Sequence, residues 1–253
     1  MSGEKRPRLV GVGVGPGDPE LLTLAGLREL GTARRVFVPV LAPGEPGRAE
    51  AVVRAHLGAD AQTVERLVFA LDDAVDGPQQ RRRAHWDAAA ERVAGYLREH
   101  GGTAAFATLG DPAVYSTFTY LAAGVRALLP QVDVATVPGI TAMQAVASAA
   151  GLSLVEGAEP LSVLPMARDV AGVREALYRG GTVVAYKCGS RLGELREAIA
   201  AAGALERSVY AEHLGTPDET VMPLSEVDLA EDSAPYLSTV VILPPRCGRG
   251  EQL

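Results

Sequence analysis

Three times before residue 142, a short apolar run breaks into a glycine- and proline-bearing loop and passes at once into a helix-start pattern. The loops are Gly15-Pro16-Gly17-Asp18-Pro19, Leu109-Gly110-Asp111-Pro112 and Val137-Pro138-Gly139-Ile140-Thr141. In open α/β sheets ligands bind beyond the carboxyl ends of strands, where backbone N–H groups and helix N-termini converge. Glycine at such a turn lets a ligand approach the backbone closely. One loop of this kind is as readily a plain strand-to-helix turn; three in one chain favour ligand loops.

The rest of the pattern supports a layered α/β architecture. Leu9 to Gly15 reads as a buried strand. Asp18 is a good N-cap and Pro19 a good first residue for a helix through Leu21, Leu22, Leu24, Leu27 and Leu30 that stops at Gly31. Further strands are expected at Arg35–Val40, Gln62–Phe69, Thr103–Leu109 and Val132–Val137. Helices are expected at Glu45–Leu57, Arg81–His100 and Val114–Leu129. Thr141 with Gln144 forms a capping-box signature for the next helix. In the second half, strands near Leu161–Leu164, Thr182–Tyr186, Ser208–Glu212 and Tyr236–Leu243 alternate with helices near Val170–Leu177 and Arg191–Ala202. About nine strands over this length fit two α/β sheets, each parallel or mixed, better than one. The boundaries expected are an N-terminal α/β domain over residues 7–137, a C-terminal one over 138–244, and a tail over 245–253.

Composition narrows the function classes. A net charge of −7 argues against a generic nucleic-acid partner. No apolar stretch approaches the roughly 20 residues of a membrane span, and no signal-peptide core follows the basic start, so a cytoplasmic protein is expected. Cys188 and Cys247 fit no zinc spacing, and no two of His56, His85, His100 and His213 share ligand spacing, so no metal site is expected. Gly11, Gly13, Gly15 and Gly17 alternate, but position 16 is proline and no acidic residue caps the second strand. The nicotinamide fingerprint is therefore not met. Walker A, serine-elbow and H-E-x-x-H motifs are missing from the sequence. All basic residues except Lys5 and Lys187 are arginine.

The residues resemble the tetrapyrrole methylases. The family's N-terminal pattern is matched by Gly13 to Leu30, its glycine-aspartate-proline loop by Thr108 to Pro112, and its VPGIT loop by Val137 to Thr141. Longer segments resemble the branch that methylates carbon 20 of precorrin-2 in cobalamin synthesis. They are Trp86–Ala94, Gly110–Leu121, Gly151–Pro165, Ala185–Leu192, Val209–Leu224 and Pro235–Ile242. The likeness runs in order from Leu9 to about Leu243.

That resemblance implies two α/β domains with a cofactor cleft between them, a homodimer, and S-adenosyl-L-methionine as methyl donor, leaving as S-adenosyl-L-homocysteine. Carried across by position, the implied cofactor contacts are Pro16, Leu109, Gly110, Asp111, Val114, Thr141, Ala142, Tyr186 and Gly215, with Tyr236 a weaker candidate. Asp111 is expected to accept hydrogen bonds from the cofactor's polar end. The substrate would be precorrin-2 or its cobalt form; related enzymes acting at another ring carbon, and a non-catalytic cofactor-binding homologue, are the alternatives. Two departures stand out. Tyr186 replaces the methionine usual before the lysine of the branch's sixth motif, and Phe69 to Asp76 differs from the expected proline–methionine stretch. A tetrapyrrole's carboxylates call for arginine forks, for which Arg34, Arg35, Arg81, Arg82, Arg83 and Arg168 are candidates.

Overall fold

The computed structural model describes residues 6–42, 44–58, 62–69, 79–166, 169–228 and 234–246. By contact density the chain divides into two compact units, Met1–Thr141 and Ala142–Leu253.

The first unit contains β1 (Arg8–Gly13), α1 (Leu24–Thr32), β2 (Arg35–Val40), α2 (Arg48–Leu57), β3 (Val64–Val68), α3 (Gln79–His100), β4 (Thr103–Thr108), α4 (Phe118–Leu128) and β5 (Asp133–Val137). Its five strands lie in the order β3-β2-β4-β1-β5, all parallel. The period of two along each strand sends alternate side chains to opposite faces. Leu9, Phe37 and Phe106 pack with Val93 and Leu97 of α3 and with Leu121 and Val125 of α4. Val10, Val12, Val36 and Val38 pack on the other face with Leu30 of α1 and with Val52 and Val53 of α2. Both faces are covered, as an all-parallel sheet requires.

Helix starts depart from the sequence reading where a local side-chain cap, a turn or a proline–glycine pair competes. Pro19–Leu21 forms only a 3-10 turn, with Asp18 accepting from Glu20 N at 2.8 Å. The chain then re-extends, and α1 begins after Thr23, whose Oγ1 accepts from Gly26 N at 3.0 Å. The expected continuous helix is thus broken, Leu24 lies 82% exposed instead of on the apolar face, and α1 runs one residue past Gly31. Residues 114–117 are likewise not helical. Val114 N closes a turn on Asp111 O and Tyr115 is left-handed at φ 49°, so α4 starts at Phe118. Pro46 and Gly47 delay α2 to Arg48.

The second unit contains α5 (Ala142–Ala149), β6 (Leu161–Pro165), α6 (Ala171–Arg179), β7 (Thr182–Tyr186), α7 (Leu192–Ala201), β8 (Ser208–Glu212), β9 (Thr220–Pro223) and β10 (Thr239–Ile242). Its sheet order is β6-β7-β10-β8-β9, with β6 parallel to β7 and every other pair antiparallel. Val183, Ala185, Tyr210, Val240 and Ile242 form a core with Val173 and Ala176 of α6 and with Leu195 and Ile199 of α7. β9 is an addition to the nine strands expected: four residues ending in proline, on a sheet edge, give no periodic signal. No helix among the described residues is long and apolar enough to cross a membrane.

Candidate functional site

The three loops singled out from the sequence meet at the carboxyl edge of the first sheet. Gly110 N donates to Gly15 O at 2.7 Å and Gly15 N to Gly110 O at 3.4 Å, joining the first loop to the second. Asp111 joins the second to the third: its Oδ2 accepts from Gly139 N at 2.9 Å while Oδ1 accepts from Ala113 N at 2.7 Å. A Cβ on Gly13 would stand 2.6 Å from both Gly110 O and Gly139 N. These glycines therefore serve backbone-to-backbone packing. Gly110 differs: it is left-handed at φ 70°, and a Cβ there would meet nothing within 4 Å. Its Cβ side is open space. Thr108 Oγ1 and Ser116 Oγ, 2.8 Å apart, hold the rest of the second loop to the end of β4.

Pro16 is buried in this platform, Thr141 is buried at its edge, and Leu109, Gly110, Asp111 and Val114 are half-buried. Asp111 was expected to receive hydrogen bonds from a ligand. Each of its carboxylate oxygens accepts a backbone N–H, so it organises the loops, and each oxygen keeps a lone pair for a further donor.

In the second unit, Tyr186 ends β7, and its hydroxyl accepts from Met143 N at 3.0 Å in the first turn of α5. That bond brings Tyr186 and Ala142 together. Gly215 follows β8 at φ 71° and donates its N–H to Glu219 Oε2 at 2.7 Å. Tyr236, 43% exposed, lies with its ring 5.4 Å from Lys187 Nζ. Lys187 (φ 61°) and His213 (φ 52°), each one residue past a strand's carboxyl end, join Tyr115 in the left-handed region that non-glycine residues seldom enter. Nothing in a single sequence marks such residues, since tertiary context imposes the conformation. Cys188 is fully buried with Sγ donating to Ala185 O at 3.0 Å; desolvation pushes its thiol up to about 12, against a backbone hydrogen bond from Val240. It is a packing residue, inert at neutral pH.

The expected arginines separate. Arg34 and Arg35 stand at the amino end of β2, the edge opposite the loops. Arg34 donates to His100 O at 3.2 Å. Arg35 donates to Gln62 O at 3.0 Å and lies 5.2 Å over the Tyr96 ring. Both make structural contacts there; which end of a strand a charge will occupy is not evident from the sequence. Arg82 and Arg83 open α3, which follows β3 and so begins at the loop edge. Arg168, the side chain of Arg81, and residues 70–76 of the unusual segment lie outside the described residues. Phe69, which begins that segment, is buried against Phe106 at 5.7 Å. Among the described residues no three His, Cys, Asp or Glu side chains gather closely enough to hold a metal.

The family model for tetrapyrrole (corrin/porphyrin) methylases matches residues 8–229. A precorrin-2 C(20)-methyltransferase from Sinorhizobium is 36% identical over 246 residues, 96% of this chain and 97% of that protein. A cobalt-precorrin-2 C(20)-methyltransferase from Salmonella typhimurium is 28% identical over 93% of this chain and 95% of its own length. A uroporphyrin-III C-methyltransferase from Thermus thermophilus, crystallised with S-adenosylhomocysteine, shares the fold. Its TM-score is 0.62 at 21% identity, covering 93% of this chain and 96% of that one.

Proposed function

The chain belongs to the tetrapyrrole methylase family, and from that membership we propose that it transfers a methyl group from S-adenosylmethionine to carbon 20 of precorrin-2 or of cobalt-precorrin-2, in cobalamin biosynthesis. The observation that carries this reading is the near end-to-end likeness to the Sinorhizobium C(20)-methyltransferase.

The residues fit such a donor. Gly110 offers an uncovered backbone at the carboxyl edge of a parallel sheet, where ligands of open α/β sheets bind. Pro16, Leu109, Gly110, Asp111, Val114 and Thr141 of the first unit are assigned to the cofactor. So are Ala142, Tyr186 and Gly215 of the second. When bound, the donor would supply an activated methyl on a sulfonium and leave as S-adenosylhomocysteine, with the proton of the methylated meso carbon passing to water. A meso carbon of a reduced tetrapyrrole is enamine-like and needs no activating nucleophile from the protein. The chain's part is to hold the reacting partners in line, which is worth roughly 7–11 kcal/mol in a near-attack geometry. Asp111 does this by fixing the second and third loops to each other. Tyr186 does it by fixing the start of α5. Arg82 and Arg83 are assigned to substrate carboxylates. The working form is proposed to be a cytoplasmic homodimer.

The test is incubation with methyl-labelled S-adenosylmethionine and precorrin-2, with and without cobalt, locating the label by NMR. Label at carbon 20 is expected. Label at another ring carbon would reassign the substrate position, and no transfer to any tetrapyrrole would remove the enzyme reading.

A further inference from the structure

Where nearly every cation of the chain is an arginine, Lys187 is an exception at a well-defined place, the residue just past β7. A lysine head is a compact, strongly hydrated point charge, unlike the broad guanidinium fork, and the two do not substitute freely. The backbone is held left-handed at φ 61°, a conformation kept only where its surroundings over-determine it. The ammonium sits 5.4 Å from the centre of the Tyr236 ring. Such a contact fixes a cation by the ring face and leaves its N–H donors available.

The ion pairs described in this unit all use arginine: Arg179 with Glu175, Arg191 with Glu194, and Arg246 with Glu156 and Glu159. Among the described residues no carboxylate pairs with Lys187. In a chain with net charge −7, a half-buried lysine whose ammonium lies beside a ring, with no acidic partner among the described residues, is set for an anion from outside. Tyr186, the residue before it, and Gly215, past β8 and so separated from β7 by β10, are both assigned to the cofactor, so that anion is taken to be the second ligand.

We propose that Lys187, seated on Tyr236, binds a carboxylate of the polyanionic tetrapyrrole; this rests on the methyltransferase reading above and names one of its substrate contacts. The experiment uses uroporphyrin III, a stable tetrapyrrole with eight carboxylates, titrated by fluorescence against the full-length protein, Lys187→Met and Lys187→Arg. Lys187→Met is expected to weaken binding about tenfold, the size of one charge-assisted hydrogen bond, with S-adenosylhomocysteine affinity within about twofold of the parent. Lys187→Arg, which restores charge on the wrong head group, is expected to fall between. Equal uroporphyrin affinity in all three proteins overturns the assignment while leaving the function standing. Arginine binding no better than methionine overturns it too, because charge would then not matter. A joint fall of S-adenosylhomocysteine affinity and thermal midpoint in Lys187→Met makes the residue structural. A parent protein that binds no uroporphyrin while still binding S-adenosylhomocysteine overturns the tetrapyrrole reading itself, and this contact with it.

Discussion

The two units present their strand ends in different materials. In the first, β1, β4 and β5 run parallel and finish at one edge, and their loops are joined mainly through backbone atoms of Gly13, Gly15, Gly110 and Gly139. In the second, antiparallel β10 lies between β7 and β8, so a chain entering the sheet separates two that leave it. There the work falls to side chains: the Tyr186 hydroxyl, the Lys187 ammonium and the Tyr236 ring. At Gly13 and Gly139 the backbone junction tolerates no added carbon, whereas a side-chain junction can change its chemistry and keep its shape. The departure at Tyr186 lies in the unit where such a change is affordable.

The largest effect should come from Gly13→Ala. Its new Cβ would press on Gly110 O and Gly139 N, backbone atoms of two other loops that cannot rotate away. A cost of about 3 kcal/mol in denaturant unfolding is expected, together with loss of S-adenosylhomocysteine binding in calorimetry. Gly31→Ala, in α1 with open space around it, is the matching control and should gain about 0.5–1 kcal/mol. Similar outcomes for the two would break the comparison, because packing at the junction would then not be what the first unit depends on.

Asp111 is a side chain that ties two loops of that backbone junction together. Asp111→Ala gives up charge-assisted bonds to Ala113 N and Gly139 N, a loss of about 2–3 kcal/mol. Its affinity for S-adenosylhomocysteine should fall at least about tenfold. Asp111→Asn keeps one carbonyl acceptor and should lie midway by both measures. Unchanged affinity in the alanine variant would take the cofactor away from these loops.

Stability and site separate at Glu50. Its carboxylate, 0% exposed, takes Arg54 Nε at 2.7 Å and Arg66 Nε at 2.7 Å, tying α2 to β3. Burial alone would raise its pKa, but the hydrogen bonds from Arg66 and then Arg54, with their charges, outweigh burial and hold it below the usual carboxylate range. A carboxyl depressed in the folded state contributes stability that is complete above its unfolded value and disappears as pH falls through the folded one. Both arginines are about a third exposed, so solvent screening brings the expected loss in Glu50→Gln to about 2 kcal/mol at pH 7. In urea unfolding that gap should shrink below about pH 4, while S-adenosylhomocysteine affinity stays unchanged at pH 7. A change in affinity would mean that the first unit's platform depends on more than its loops.

The contrast also explains what could be read in advance. Strands at Arg35–Val40 and near Thr182–Tyr186 and Ser208–Glu212 were legible because short β-prone runs are followed within a few residues by breakers. The three loops were legible because glycine and proline announce turns, although which glycine packs and which faces a ligand is a tertiary matter. The starts of α1 and α4 were misplaced because Thr23 and Ser116 offer the backbone local hydrogen bonds that propensity ignores. The second unit's strand ends were harder to read. A left-handed lysine or histidine, and a tyrosine hydroxyl that reaches an amide 43 residues earlier, exist only once the sheet has formed.

The finest test of the side-chain junction is therefore Tyr186→Phe, which keeps the ring and removes only the hydroxyl. Met143 N, an early amide of α5 with no carbonyl one turn before it, loses its acceptor, a cost of about 1 kcal/mol. If that hydrogen bond holds the start of α5 in the shape the cofactor meets, affinity for S-adenosylhomocysteine should drop about threefold to fivefold. Hydrogen exchange at the Met143 amide should quicken in step. Faster exchange with no change in affinity would make the hydroxyl a helix cap and nothing more, leaving Ala142 and Gly215 as the second unit's proposed contacts. A loss in affinity as large as that of Asp111→Ala would erase the distinction from the other side, since one neutral hydroxyl would then matter as much as a carboxylate that ties two loops together.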